Sequence, residues 1–376
     1  MSTCQTFPVP MKKPRFNDVE VWSAFDTGWS SGEPKSLTCC DVRDETHDVK
    51  TFTFQCDDFQ ALAFEPGQFI TIVPSINGQA ISRCYTLSSS PARPFTFSIT
   101  VKRVPGGLVS NWLHENLQAG GQLTAYGPAG AFTSTCSDAR KLLYLSAGSG
   151  VTPLMSMTRA SHDLAADVDI AFVHSARSPV DIVFRKELQL LESLKPNLQV
   201  LAVCETSETE REWSGPVGRL TLEILQQSVP DFLEREVFTC GPKGYMDAVQ
   251  ALLCGAGFDM DHYHQESFDL GDPSSPVVVP VAPPLIASVD AFTITLAKSV
   301  KTFQMSGDDT ILSAAKRAGA VVPSSCSQGI CGTCKTAVLD GSVDMKANGG
   351  IRQREIDKGF RLLCCSRPTS DLVIDL

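Results

Sequence analysis

The residues best equipped for chemistry lie in "CSQGICGTCK", residues 326–335, where Cys326, Cys331 and Cys334 follow a C-x4-C-x2-C spacing. Structural zinc sites usually join two short C-x2-C pairs through a longer run. An x4 gap, then an x2 gap, then one distant thiolate is the plant-type [2Fe–2S] pattern. "LLCCSRP" supplies the distant thiolate as Cys364, with Cys365 beside it as the other choice. Gly329 and Gly332 suit a loop whose backbone N–H groups must come close to sulfur. Zinc, or plain buried thiols, are the competing readings of the same residues.

The elements that must carry this loop can be read around it. "FTITLAKSVKTFQMSG" alternates as a hairpin, and Ile311, Leu312, Ala315 and Ala318 then recur at helical spacing. Ahead of it, residues 270–289 hold five prolines, which forbid a central strand or helix and make a semi-extended linker. Earlier still, "FEPGQFITIVPSINGQAISRCYTLSSSP" and "FTFSITVKRVPGGLVSNWL" alternate apolar and polar residues between turns, as in a small antiparallel barrel. From residue 138 strands and helices alternate, through "KLLYLSAGSGVTPLMSM", "DIAFVHSAR", "LQVLAVCE" and "VFTCGPKGYM", which argues for a parallel sheet wrapped by helices. The expected order is an N-terminal extension (1–35), a β-barrel (36–137), an α/β domain (138–269), the linker (270–289) and an α+β domain carrying the cysteines (290–376).

Composition fits several domains. The chain has 376 residues, 43% of them apolar, and a formal net charge of −10. That charge argues against nucleic acid as a partner, because phosphate binding needs a clustered basic face. No apolar run approaches the roughly eighteen residues of a membrane span, and "MSTCQTFPVPMKKPRF" has no apolar region after its basic residues, so a cytoplasmic location is expected. Fourteen cysteines there point to metal, redox chemistry or buried thiols.

"RCYTLSSSP", "VKRVPGGLVSNWL", "GPAGAF", "AGSGVTPLMSM", "HSARSPVDIVF" and "CGPKGYM", followed by the cysteine motif, resemble in order a ferredoxin–NADP reductase-type flavoprotein fused to a plant-type ferredoxin of β-grasp-like fold. The resemblance covers nearly the whole chain. It implies an enzyme that oxidises NADH and passes electrons through FAD and a [2Fe–2S] cluster to a partner protein. "FLERE", "FDMDHYHQESF" and "NGGI" are similar to reductase components that serve Rieske-type oxygenases of quaternary-amine breakdown. Another acceptor, such as a hybrid-cluster protein or a different Rieske demethylase, is the alternative, and a redox sensor or carrier comes third.

Several residues acquire roles from that resemblance. Arg83 would hold a flavin phosphate, Tyr85 offer its face to the isoalloxazine and Thr86 its hydroxyl to the N5 edge; read alone, they are an ordinary strand. Lys102 precedes a turn in which Gly106 and Gly107 admit close backbone approach, and Ser110 is expected to cap the next helix, where a pyrophosphate binds. That favours FAD over FMN. Gly148, Gly150 and Thr152 open a second helix suited to pyridine-nucleotide phosphates, although only part of the G-x-G-x-x-G fingerprint is present. Cys240, Gly241 and Pro242 match the family's segment beside the nicotinamide and flavin, with a buried structural cysteine as the plainer reading of Cys240. Glu266 and Phe268 fall, by the same match, after the last strand and near the flavin.

Arg177 or Arg185 could grip a 2′-phosphate, and no acidic residue is evident for a ribose diol, yet the family members with "HSAR" favour NADH over NADPH. His262 and His264 are read as lacking a carboxylate setting, which argues against a non-heme iron site. Residues 290–376 carry nine acidic and eleven basic side chains. Lys335, Arg352, Arg354, Lys358, Arg361 and Arg367 are a candidate docking face for an acidic partner surface.

Overall fold

The structure is a computed structural model. It describes residues 34–268 and, beyond them, 291–299, 301–320, 322, 329, 332, 334–347, 351 and 353–376. The expected linker (270–289), most of the expected N-terminal extension, Cys326, Cys331 and Arg352 lie outside the described residues.

The first module is a six-stranded antiparallel sheet, formed by β1 (Lys35–Thr46), β2 (Val49–Cys56), β3 (Phe69–Val73), β6 (Arg83–Thr86), β7 (Phe97–Lys102) and β8 (Gln122–Ala129) in the order β6-β3-β8-β1-β2-β7. A short hairpin, β4 (Ser75–Ile76) and β5 (Gln79–Ala80), extends one connection. The bridge Leu87↔Ile99 joins the two outer ends and rolls the sheet into a barrel. Period-two patterning drives this, since alternate residues such as Phe52, Phe54, Ile70, Ile72, Phe97 and Ile99 fill the interior. Helix α1 (Leu108–Asn116) closes one end with Val109 and Leu113.

The second module is a five-stranded parallel sheet in the order β11-β10-β9-β12-β13: β9 (Lys141–Ala147), β10 (Asp169–Ala176), β11 (Leu198–Cys204), β12 (Glu236–Gly241) and β13 (Tyr263–Ser267). Strand β9 reads as an unbroken apolar run because both its faces are covered. Leu142 and Tyr144 enter one core layer, while Leu143 and Leu145 enter the other. Helices α2 (Val151–Asp163) and α3 (Arg185–Leu194) cover the first face; α4 (Leu222–Ser228) and α5 (Lys243–Gly255) cover the second.

Helix α2 is buried along most of its length because it packs on its own sheet and on the barrel. Ser156 Oγ donates to the Ser89 carbonyl at 2.8 Å, and Arg93 pairs with Asp163 at 2.9 and 3.1 Å. Arg159 donates to the Ser88 carbonyl at 2.5 Å, holds Glu187 through two contacts of 2.6 and 2.7 Å, and lies 4.6 Å above the Phe184 ring. A charged side chain this buried is tolerated because its donors find acceptors and its flat face finds an aromatic ring.

The third module is a mixed five-stranded sheet, β15-β14-β20-β16-β18, from β14 (Ala291–Leu296), β15 (Lys301–Ser306), β16 (Lys335–Asp340), β18 (Phe360–Leu362) and β20 (Leu372–Ile374). A two-stranded pair, β17 (Val343–Met345) and β19 (Ser366–Pro368), lies beside it, with helices α6 (Ile311–Arg317) and α7 (Gln353–Asp357). Ile311, Leu312 and Ala315 are buried as expected. Ala318 is not: it is the C-cap and is exposed, because the helix ends one residue earlier.

Candidate functional site

Parallel strands leave their C-terminal ends pointing the same way, and ligands of such sheets sit there, at the strand where the order reverses. Here that strand is β9, with β10 and β12 on either side. It ends in Ala147, and a single 3₁₀ turn, Gly148–Gly150, feeds helix α2. Gly150 is sterically obligatory: a Cβ would fall 2.2 Å from the Cys240 carbonyl oxygen. Gly148 has φ +53° and open space in front of it, so this turn can take a phosphate at the N-terminus of a thirteen-residue helix.

Across from that edge the barrel presents β6, β7 and the start of α1. Between them lies a cleft of about 860 Å³ counted to its open mouth. Arg83, Tyr85 and Thr86 line it from β6, Lys102 from β7, Ser110 from α1, Thr152 from α2, and Glu266 and Phe268 from the far sheet edge. Residues well separated in sequence are thus brought to one cavity. Gly106 (φ +73°) and Gly107 form the turn before α1 without lining it.

Two polar atoms of the lining have no hydrogen-bond partner although buried: Thr86 Oγ1 and Glu266 Oε2. Unsatisfied buried groups are costly, and these two, being on the wall of a cleft, are placed where a ligand could complete them. Burial pushes the Glu266 carboxyl up to about 8, so it is largely protonated at neutral pH. In register across the sheet, Ser146, Cys240 and Glu266 stand abreast. Burial, and next the nearby Glu266, raise the Cys240 thiol well above its ordinary range; it is a neutral group. Ser146 bonds His174 Nδ1 at 2.8 Å, and burial lowers that imidazole to about 4.

The sequence profiles of three domain families match in series: an oxidoreductase FAD-binding domain over residues 37–134, an oxidoreductase NAD-binding domain over 144–251, and a 2Fe-2S iron-sulfur cluster binding domain over 294–369. The glycine betaine monooxygenase reductase subunit of Chromohalobacter salexigens is 44% identical over 357 residues, 92% of this chain and 96% of that one. The chain belongs to the ferredoxin–NADP reductase-type flavoproteins fused to a [2Fe–2S] ferredoxin. The stachydrine N-demethylase reductase subunit of Rhizobium meliloti is 40% identical to this reductase over 342 residues, 90% of this chain and 95% of its own. The solved phthalate dioxygenase reductase shares the fold at a TM-score of 0.55, with 24% identity, covering 91% of this reductase and 97% of itself. The protein is therefore an NAD(P)H-dependent electron-transfer reductase that uses FAD and a [2Fe–2S] cluster.

The reductase's residues fit those groups. The cleft offers an unpartnered hydroxyl and a protonated carboxyl to a ring edge, an aromatic side chain at Tyr85, and the Arg83 guanidinium, whose Nη1 donates to the Ser82 carbonyl at 2.8 Å. In the third module the Cys364 backbone N–H donates to Cys334 Sγ at 3.4 Å, the kind of contact that steadies a thiolate ligand. Both cysteines are buried, whereas Cys365 Sγ turns toward the Leu362 carbonyl at 3.6 Å. Gly329 and Gly332 both hold positive φ, +73° and +76°, a conformation that favours glycine.

Several sequence expectations need correction. Ser110 does not cap α1: the N-cap is Gly107, and Ser110 sits a turn further in, accepting from the Val104 N–H at 3.2 Å. Glu266 lies within the last strand rather than after it, because "YHQES" forms the edge strand β13. His262 and His264 do have a carboxylate: Glu236 takes His262 Nδ1 at 2.8 Å and His264 Nε2 on its other oxygen. This trio sits at the opposite, N-terminal edge of the sheet. Arg185 is held by Glu210, and of the candidate docking face Lys335 is paired with Glu355 at 2.5 Å, while Arg361 reaches backbone carbonyls of its own domain. Arg177 is exposed at the end of β10, Pro242 is the exposed N-cap of α5, and Gly241 is buried beneath it. Phe69, Val104 and Ser149 line the cleft without any signal in the sequence beyond their neighbours.

Proposed function

We propose that the chain takes electrons from NADH and delivers them to a Rieske-type oxygenase that oxidatively N-demethylates glycine betaine. The observation that carries the redox half of this reading is the cleft lined both by the barrel's Thr86 and by the sheet edge's Glu266, each with an unpartnered buried oxygen. The acceptor half rests on similarity at 43–44% identity, over 92% of the chain, to glycine betaine monooxygenase reductase subunits of two bacteria. When bound, FAD would supply the exchange between two-electron hydride chemistry and the single-electron chemistry of a [2Fe–2S] cluster.

The protein's own side chains bind and orient. Arg83, Lys102 and the Gly106–Gly107–Ser110 turn hold the flavin's phosphate-bearing tail; Tyr85 and Phe268 cover its ring, and Thr86 donates to its reactive edge. Gly148, Gly150, Thr152, Arg177, Cys240, Gly241 and Pro242 seat the pyridine nucleotide. Glu266 holds a proton at the ring edge and keeps water out by its burial. Cys326, Cys331, Cys334 and Cys364 hold the cluster. No helix among the described residues is long and apolar enough to cross a membrane, and we assign the reductase to the cytoplasm, where NADH is available.

An anaerobic titration with NADH should bleach flavin and cluster absorbance together and give a [2Fe–2S] resonance signal. Reconstitution with the cognate oxygenase should then make NADH oxidation depend on glycine betaine. Stachydrine-dependent turnover instead would move the acceptor to the second reading, which the 40% identical stachydrine N-demethylase reductase favours.

A further inference from the structure

The sheet order dictates where the far end of the pyridine nucleotide must go. If its phosphates sit at Gly148–Thr152 after β9 and its nicotinamide faces Cys240 and Glu266 after β12 and β13, its adenosine half has only the C-terminal ends of β10 and β11 to cross. This placement rests on the reading given under Proposed function. What waits there is a charged latch. Arg185, at the start of α3, holds both oxygens of Glu210 at 2.6 and 3.0 Å. Its guanidinium also lies 5.4 Å above the Trp213 ring. Trp213 in turn packs on Ala176, Ile182 and Cys204, at the ends of the two strands, and its indole N–H donates to the Pro216 carbonyl at 3.4 Å.

The segment bearing the latch is strongly acidic. Residues 205–212 hold four glutamates and one arginine. The segment stays beside β10 after β11 has ended, because the Glu205 N–H donates to the Ala176 carbonyl at 3.0 Å and the Thr206 N–H to the Arg177 carbonyl at 2.9 Å. Glu205 and Arg177 therefore lie side by side at the place where a ribose would lie. A diol finds a carboxylate acceptor there. A 2′-phosphate would meet the carboxylate of Glu205, which Arg219 pairs at 3.6 Å, and of the arginines on this edge Arg185 has both its fork and its flat face already taken.

We infer that the Glu210–Arg185–Trp213 latch, with Glu205 beside it, sets the coenzyme preference of this reductase for NADH by withholding Arg185 from a 2′-phosphate. Glu210 is a positioning residue in this scheme, acting through Arg185.

The test uses the flavin- and cluster-loaded protein and two ligands that lack nicotinamide, 5′-AMP and 2′,5′-ADP, with calorimetry as the readout, alongside kcat/KM for NADH and NADPH. Wild type should bind 5′-AMP at least as well as 2′,5′-ADP. Glu210→Ala should raise 2′,5′-ADP affinity about tenfold, the scale of one gained charge-assisted hydrogen bond, and shift the NADPH/NADH ratio the same way. Glu210→Gln, which keeps the side chain's size, guards against misfolding and should shift both in the same direction. The double variant Glu210→Ala/Arg185→Ala should lose the gain. Unchanged 2′,5′-ADP binding in both single variants overturns the proposal, as does a gain that survives loss of Arg185. Failure of the underlying functional reading would show separately, as wild-type flavin that NADH does not reduce.

Discussion

The two edges of the parallel sheet are built on opposite principles. The N-terminal edge carries a network of matched charges: Arg235 is nearly buried and spans Asp231 (2.8 Å) and Asp169 (2.7 Å), Lys141 spans Asp231 and Glu234 (both 2.9 Å), and Glu236 joins two histidines. At the C-terminal edge the backbone is pared to glycine, and Glu266 keeps an unpartnered buried oxygen, as does Thr86 on the barrel strand that lines the same cleft. Completed pairs hold the fold, whereas incomplete ones cost stability and leave room for a ligand to complete them.

The sharpest way to break this contrast is Gly150→Ala. Its Cβ would collide with the Cys240 carbonyl, so a loss of about 3 kcal/mol in denaturant unfolding is expected, together with loss of flavin reduction by pyridine nucleotide. A variant of wild-type stability and rate would show the turn to be slack.

Glu266→Gln should move stability the other way. Burial raises this carboxyl from about 4.5 to about 8, so between those values the folded chain keeps a proton that the unfolded chain has released, and stability falls as pH rises through the window. Removing the acid should flatten that descent, recovering roughly 2 kcal/mol or more at pH 8, as read from thermal unfolding between pH 5 and pH 9. A variant that unfolds with the same pH slope as wild type would contradict the assignment.

Arg235→Met, at the other edge, leaves two carboxylates without their shared cation. About 2 kcal/mol should be lost, reduced from the fully buried case because Asp169 and Asp231 are partly exposed. The rate of flavin reduction should stay at the wild-type value; a rate that falls with stability would couple the two edges.

The smallest effect belongs to His262→Asn. The Glu236 hydrogen bond raises this exposed imidazole above its ordinary value, so its contribution is complete below about pH 6.5 and disappears as pH rises through the elevated value. A difference of at most about 0.5 kcal/mol, confined to the acid side, should appear in paired melts at pH 5.5 and 8.5.

Much of this was legible locally. Period-two alternation in "FTFSITVK" and the unbroken apolar run in "KLLYLSA" each specify a strand type without reference to anything distant. Ser110 was misread because serine before an apolar helix is a strong cap signal, yet Gly107 took that position and left the hydroxyl to an inward bond with Val104. The carboxylate of His262 and His264 was missed because Glu236 is 26 residues away from one and 28 from the other, joined to them only by strand pairing.

The sequence by itself determined the order of modules, the cysteine spacing and the glycines at positions of positive φ, since these depend on near neighbours and on backbone sterics. The tertiary structure alone decided which side chains come together: Thr86 and Glu266 in the lining of one cleft, Arg185 with Glu210 and Trp213, Arg159 with the barrel's Ser88 carbonyl. Burial, and with it the protonation of Glu266 and the sequestration of Arg185, is a property of packed surfaces, and no spacing along the chain encodes it.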